Sequence, residues 1–246
     1  GDPAFGKNPV SQLLDAAYAA RLRASIDPQR ATPSKDVKPG VVVSPHENAD
    51  TTHYSIVDRY GNAVATTYTI NDWFGSHVMA GNTGFFLNDE MDDFTSKPGV
   101  PNMYGLVQGV RNDVEPGKRP LSSMAPTIVL RDGKLAMVTG SPGGSRIITI
   151  TLETILNEFV FGMNVQAAVD APRIHMQWLP DEITYEPGSL DVATQKTLRS
   201  NGYAIRKIPD NEVDWGSAQA IVIDPQTGLL YGGSDHRHPA GAAIGY

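Results

Sequence analysis

A threonine pair, Thr51-Thr52, enters an alternating run that continues His53-Tyr54-Ser55. A threonine hydroxyl is a weak nucleophile until a base stands beside it. Cutting the Asp50–Thr51 bond would give Thr51 a free α-amine next to its own hydroxyl, so nucleophile and base would share one residue. The pair also has a plainer reading, because β-branched residues favour strands.

Four further patterns bear on chemistry. Ser141-Pro142-Gly143-Gly144-Ser145 lies between a strand-like and a helix-like segment; its glycines make a tight turn or present backbone N–H groups outward. It lacks the lysine of a phosphate-binding loop. Asp89-Glu90-Met91-Asp92-Asp93 puts four carboxylates in five positions, the pattern of a solvated surface or a divalent-cation site. Ser122-Ser123 follows a proline and reads as a turn. The histidines show no compact metal-ligand spacing, and His53 is expected to alternate away from Thr51 along a regular strand.

The elements that must hold these residues read as follows. Leu14, Tyr18, Ala19, Leu22 and Ile26 predict an amphipathic helix over 13–26, stopped at Asp27-Pro28. From 31 to 48 prolines and scattered charges predict a loop or extended tail. Runs at 53–58 and 63–70 around Arg59-Tyr60-Gly61-Asn62 predict a hairpin. Further strands are expected at 127–130, 134–139 and 220–223. Helices are expected at 145–160, largely apolar and packed across a sheet, and at 165–171.

A chain of 246 residues can bury a sizeable core. Its net charge of −7 makes a polyanionic nucleic acid a poor partner. Cysteine is absent, which removes disulfides, thiolate catalysis and cysteine-bound metals together. No apolar run approaches the roughly 20 residues of a membrane span. Gly1-Asp2-Pro3 offers no basic or apolar signal core, so the expectation is either no export signal or a chain that begins downstream of one.

Five strings, in this order, resemble the γ-glutamyltransferase (γ-glutamyl transpeptidase) family of bacterial type: Thr51-Thr52-His53-Tyr54-Ser55, Asn88-Asp89-Glu90-Met91-Asp92-Asp93-Phe94, Lys97-Pro98-Gly99-Val100-Pro101-Asn102, Arg119-Pro120-Leu121-Ser122-Ser123-Met124 and Gly140-Ser141-Pro142-Gly143-Gly144-Ser145-Arg146. The resemblance implies an α/β (in some schemes α+β) four-layer αββα N-terminal-nucleophile hydrolase fold, incomplete without the rest of a large subunit. It implies that residues 1–50 are the large subunit's C-terminal tail and 51–246 the catalytic small subunit. Autocatalytic maturation of a zymogen would proceed by attack of Thr51 Oγ1 on the Asp50 carbonyl, an N-to-O acyl shift and hydrolysis of the ester.

The same resemblance distributes roles. Thr51, rather than Thr52, is the implied nucleophile, with Thr69 orienting it and Gly143 and Gly144 donating to the oxyanion. Asn71, Glu90 and Asp93 would bind a substrate α-ammonium, and Ser122 and Ser123 its α-carboxylate. A large-subunit arginine would assist, with Arg119 and Arg146 as local alternatives or structural ion-pair partners. Tyr104, in the loop Pro98–Gly105, matches an aromatic gate, while Trp73-Phe74 would line the acceptor side or pack in the core. Thr69 could equally be a sheet-lining residue, and Tyr104 a surface anchor.

The implied activity is γ-glutamyl transfer from glutathione-like amides to water, an amino acid or a peptide, without cofactor or metal. The remainder of the large subunit is the implied obligate partner, and the implied location is periplasmic or secreted. A glutaryl or cephalosporin-type acylase and an unprocessed, inactive precursor are the alternatives.

Overall fold

The computed structural model describes residues 2–6, 9–37, 50–95, 97–100, 109–209 and 215–245. The chain divides into two compact units: 1–46, 90–122 and 176–207 form one, and 47–89, 123–175 and 208–246 the other.

In the first unit, α1 (Val10–Leu13) and α2 (Ala16–Ala24) replace the single expected helix. The break falls where Asp15 turns its carboxylate onto the Tyr18 N–H at 2.9 Å, a capping bond that outcompetes continuation of the helix. Leu14, Leu22 and Ile26 are exposed, so the apolar stripe is not buried within this unit. Downstream, the expected loop contains a 3-10 turn, Ser34–Asp36, with Ser34 buried. Asp181 accepts both the Ser34 N–H at 2.9 Å and its hydroxyl at 2.8 Å.

The second unit is built on two sheets. β1 (Asp50–Val57) and β2 (Ala63–Asn71) form an antiparallel hairpin, closed by Asp58, whose carboxylate accepts the Tyr60 and Asn62 N–H groups at 2.8 and 2.9 Å. β3 (Thr127–Arg131), β4 (Lys134–Gly140), α3 (Ile147–Phe159), α4 (Val165–Asp170) and the two-residue β5 (Ile174–His175) follow. In the first unit again, β6 (Ile183–Tyr185) and β7 (Ile205–Lys207) pair in parallel around α5 (Val192–Ser200). β8 (Gln219–Ile223) and β9 (Leu230–Ser234) return to the second unit and complete an antiparallel sheet of order β3-β4-β8-β9.

One face of that sheet meets β1 and β2; α3 and α4 pack on it to give a layered α–β–β unit. The core joins Met137, Ile150, Val165, Val169, Ala218, Ala220 and Val222. α3 is not buried all round as its apolar run suggests: Ile147, Ile150, Thr151 and Thr154 face inward, while Ile148 and Leu152 are exposed.

A polar knot ties the end of β9 to α4. Arg173 and Arg237 both donate to the buried Asp235 carboxylate, which also accepts the Ala218 N–H at 2.9 Å. Burial alone would raise the Asp235 pKa, but the two guanidiniums carry it below the ordinary carboxylate range. Removing one member strands a buried charge. Asp235→Ala is expected to cost about 3–5 kcal/mol, read as a lowered midpoint in denaturant unfolding.

Candidate active site

β1 and β2 are out of simple register where the site begins. Thr51 pairs with Thr69, but Asp50 pairs with Asn71, so Ile70 is an extra residue in β2. The bulge turns Asn71 into a left-handed backbone conformation at φ 78° and re-aims the strand end. The Thr51 hydroxyl donates to Thr69 Oγ1 at 3.2 Å, and the Asn71 N–H donates to the same oxygen at 2.8 Å. Buried Asn71 donates its side-chain N–H to the Asp89 carbonyl at 3.3 Å, and the Asp89 carboxylate accepts the Asp72 N–H at 3.0 Å. Thr51, Thr69, Asn71 and Asp89 therefore form one connected array.

His53 does not turn away from Thr51, contrary to the expectation from the sequence. Residues two apart on a strand share a face, and Thr51, His53 and Ser55 all face inward while Thr52, Tyr54 and Ile56 are exposed. The imidazole is buried against Gly140 at the end of β4; a Cβ on Gly140 would lie 2.4 Å from its Cε1. Ser55 Oγ donates to the Gln219 carbonyl at 3.3 Å, so it accepts from His53 Nε2–H at 3.1 Å, leaving Nδ1 to accept from the Thr67 hydroxyl at 2.9 Å. Burial lowers the His53 pKa to about 4, and the ring is neutral near pH 7.

Just past Gly140, Gly143 and Gly144 adopt φ 130° and 54°, values that suit glycine. They open the 3-10 turn Gly144–Arg146 that leads into α3. First positions of a helix have no intrahelical acceptor for their N–H groups, and the helix dipole adds positive potential there. Their carbonyls are committed: Arg146 N–H donates to Gly143 O, and Ser123 Oγ donates to Gly144 O at 2.9 Å. Thr51, His53, Pro142, Ser217 and Gln219 share the lining of a cavity of about 930 Å³ with the segment Ala240–Gly245.

Glu90 and Asp93 lie on a half-buried 3-10 turn, Glu90–Asp93, whose Asp93 carbonyl accepts the Asn112 amide at 2.6 Å. They and Ser122 belong to the first unit, whereas Thr51, Thr69, Asn71, Ser123, Gly143 and Gly144 belong to the second. Tyr104 lies outside the described residues. Trp73 and Phe74 are exposed within this chain, the latter edge-on to Phe86 at 5.3 Å. Arg119 is engaged by Asp2, with bonds of 2.9 and 3.0 Å that hold the Asp2 carboxyl well below its usual range. Arg146 is buried with its guanidinium 4.9 Å from the Trp215 ring.

Among the described residues, Asp170, Asp235 and His236 form the one group able to offer three metal-ligand atoms. Asp235 there is already bonded to two guanidiniums, and His236 Nδ1 lies 2.9 Å from Asp170. That arrangement reads as an ion-pair knot rather than a cation site. Ser141, quoted within the glycine motif, received no role of its own from the sequence, and Gly216 and Ser217 were not singled out; all three pack against the glycine turn.

A mixed α/β unit with a threonine near a strand start and a glycine turn before a helix has the fold of the N-terminal-nucleophile hydrolases, as its solved neighbours show. The family model described as gamma-glutamyltranspeptidase matches residues 1–245, and the chain belongs to that family. It is 56% identical to the glutathione hydrolase proenzyme of Pseudomonas sp. (strain A14) and 50% identical to that of Escherichia coli (strain K12), each over 100% of this chain. It spans 43% and 41% of the length of those curated relatives. A crystal structure of a Helicobacter pylori gamma-glutamyltranspeptidase mutant superposes with TM-score 0.72 at 50% identity, covering 76% of this chain and 100% of that one. A cephalosporin acylase from Bacillus halodurans superposes with TM-score 0.78 at 28% identity, covering 96% of this chain and 39% of that one.

The buried His53 makes a pH prediction. Its folded pKa, about 4, lies below the ordinary imidazole value of 6.5. Between those values the unfolded chain binds a proton that the folded chain refuses, so stability rises with pH there. The contribution is fully present above about pH 6.5 and is lost as pH falls towards 4. Unfolding midpoints measured from pH 7.5 to 4 should therefore fall more steeply for the wild type than for His53→Asn.

Proposed function

We propose that this chain is the catalytic part of a γ-glutamyl hydrolase and transpeptidase that matures by scission at Asp50–Thr51. The observation that carries the reading is the Thr51 hydroxyl, held on Thr69 at 3.2 Å at a strand bulge and bordering a cavity. Attack of Thr51 Oγ1 on the Asp50 carbonyl, acyl shift and addition of water leave Asp50 at the end of one fragment and Thr51 at the start of the other. The freed α-amine, with a reference pKa of about 7.7–8.0, then takes the hydroxyl proton as general base.

In the mature site, Thr51 Oγ1 adds to the γ-carbonyl of a donor such as glutathione, and Gly143 and Gly144 donate to the oxyanion. Expulsion of the amine, with a proton returned from the Thr51 ammonium, leaves a γ-glutamyl ester. Water converts the ester to glutamate; an amino acid or peptide amine gives a new γ-glutamyl amide. Asn71, Glu90 and Asp93 are assigned to the donor's α-ammonium, Ser122 and Ser123 to its α-carboxylate, and Tyr104 to the acceptor side. In support, the Asn71 amide gives a proton to Asp89 O, and its oxygen is the atom that can accept from an ammonium.

The remainder of a large subunit is the proposed partner. The outer face of the β1–β2 hairpin exposes Tyr54, Ile56 and Tyr68, the face that an αββα fold covers with further elements. A periplasmic or secreted location follows from the family resemblance; among the described residues no helix is long and apolar enough to cross a membrane.

The cephalosporin acylase neighbour supports a second reading, hydrolysis of a side chain without an α-ammonium. Side-by-side rates on γ-glutamyl and glutaryl anilides separate the two, with the γ-glutamyl compound expected to be faster and a glutaryl preference selecting the acylase. N-terminal sequencing of the proposed full-length proenzyme after purification should find a fragment beginning at Thr51. Thr51→Ala should leave one uncut chain and lower turnover by about 10⁴-fold or more.

A further inference from the structure

The glycine turn is held by groups that the reading above does not use. Ser141 is fully buried at the end of β4. The Ser217 N–H donates to Ser141 Oγ at 3.0 Å, and Ser141 Oγ lies 2.6 Å from the Pro142 carbonyl oxygen. A backbone N–H can only donate and a carbonyl can only accept. The single hydroxyl proton of Ser141 is therefore directed onto Pro142 O.

That bond reaches further than its own atoms. The Pro142–Gly143 peptide is planar and trans, so fixing the Pro142 carbonyl fixes the Gly143 N–H in the opposite direction. Peptides within proline–glycine turns have two low-energy settings that differ by a flip of the plane; a clamp on the carbonyl selects one. The clamp is itself braced. Gly216, at φ 70°, lies so close that a Cβ there would sit 2.5 Å from Pro142 O and 2.7 Å from Ser141 Oγ. Gly143 is pressed against Gly216 and Ile150, which an added Cβ would meet at 3.3 and 3.1 Å. Pro142 lines the same cavity as Thr51.

We infer that Ser141 is a positioning residue for acyl transfer: its hydroxyl, oriented by Ser217, locks the Pro142–Gly143 peptide so that the Gly143 N–H is aimed where the oxyanion forms. The inference rests on the proposed assignment of Thr51 and Gly143. A preorganised donor acts on the charge that develops in the transition state and little on bound substrate. Its loss is therefore read in kcat and in the affinity of tetrahedral mimics, rather than in KM.

The test uses the full-length proenzyme, with rates taken per mature chain. Ser141→Ala should lower kcat on a γ-glutamyl anilide by about 10–10²-fold and leave KM within about threefold. It should weaken a boronate analogue of the glutamyl side chain, which forms a tetrahedral anion on the nucleophile, by the same factor as kcat/KM. Ser141→Cys, a weaker donor of similar size, should fall between; if the alanine variant does not fold, the cysteine variant carries the comparison. Thr139→Val is the control, because it removes a buried hydroxyl of the same strand that has no partner among the described residues; its kcat should match the wild type. Unchanged kcat in Ser141→Ala, or a loss of kcat with unchanged boronate affinity, overturns the role of Ser141 and leaves that of Thr51 standing. Turnover retained by Thr51→Ala overturns the underlying assignment instead.

Discussion

The contact between the His53 imidazole and Gly140 sets the geometry of the unit that holds the candidate site. It is the point where the strand carrying the nucleophile candidate meets the strand that ends in the glycine turn. With no side chain on Gly140, the ring takes the space a Cβ there would fill, and its two nitrogens are used within a chain running from Thr67 through Ser55 to the Gln219 carbonyl. A charged imidazole there would be desolvated without a carboxylate among those partners, which is why burial drives its pKa down. Moving this seam would move Thr51 and the start of α3 relative to one another.

On either side of the seam, short-range constraints finish the job. At one end the β2 bulge supplies the Asn71 N–H that holds Thr69, and Thr69 holds Thr51. At the other, Ser141, Gly216 and Ser217 fix the backbone before Gly143, while Ser123 takes the Gly144 carbonyl. These are backbone-directed bonds made by small side chains, which places N–H groups and a hydroxyl accurately without spending cavity volume. The Arg173–Asp235–Arg237 knot tethers the same loop from behind, since Arg173 also donates to the Trp215 carbonyl.

Much of this was legible before any coordinates. The hairpin, β3, β4, β8, α3 and α4 follow from periodicity and turn residues. Thr51, Thr69, Gly143 and Gly144 were singled out through motif resemblance; the structure bonds the first two to each other and puts the glycines in the turn before α3. The unread parts have separate physical reasons. β6 and β7 are three residues long, too short for a period to emerge, and β9 carries a Gly-Gly that resembles a turn. Asp15 split a helix whose apolar spacing ran straight through it. His53 was misplaced by an error of strand parity. Ser141 escaped because a serine's value depends on a partner, Ser217, seventy-six residues away.

The central claim is that Thr51 becomes the attacking group once its amine is free. The most direct measurement is to mix the mature protein with a γ-glutamyl donor, quench in acid during steady-state turnover, digest and map the modified peptide by mass spectrometry. Acylation at Thr51 predicts the mass of one glutamyl acyl group on the peptide that begins with Thr51, located on its first residue, when digestion is carried out in acid so that the protonated amine cannot capture the acyl group. A glutamyl group on any other residue, or turnover with no acylated peptide under conditions where hydrolysis of the ester limits the rate, would contradict it.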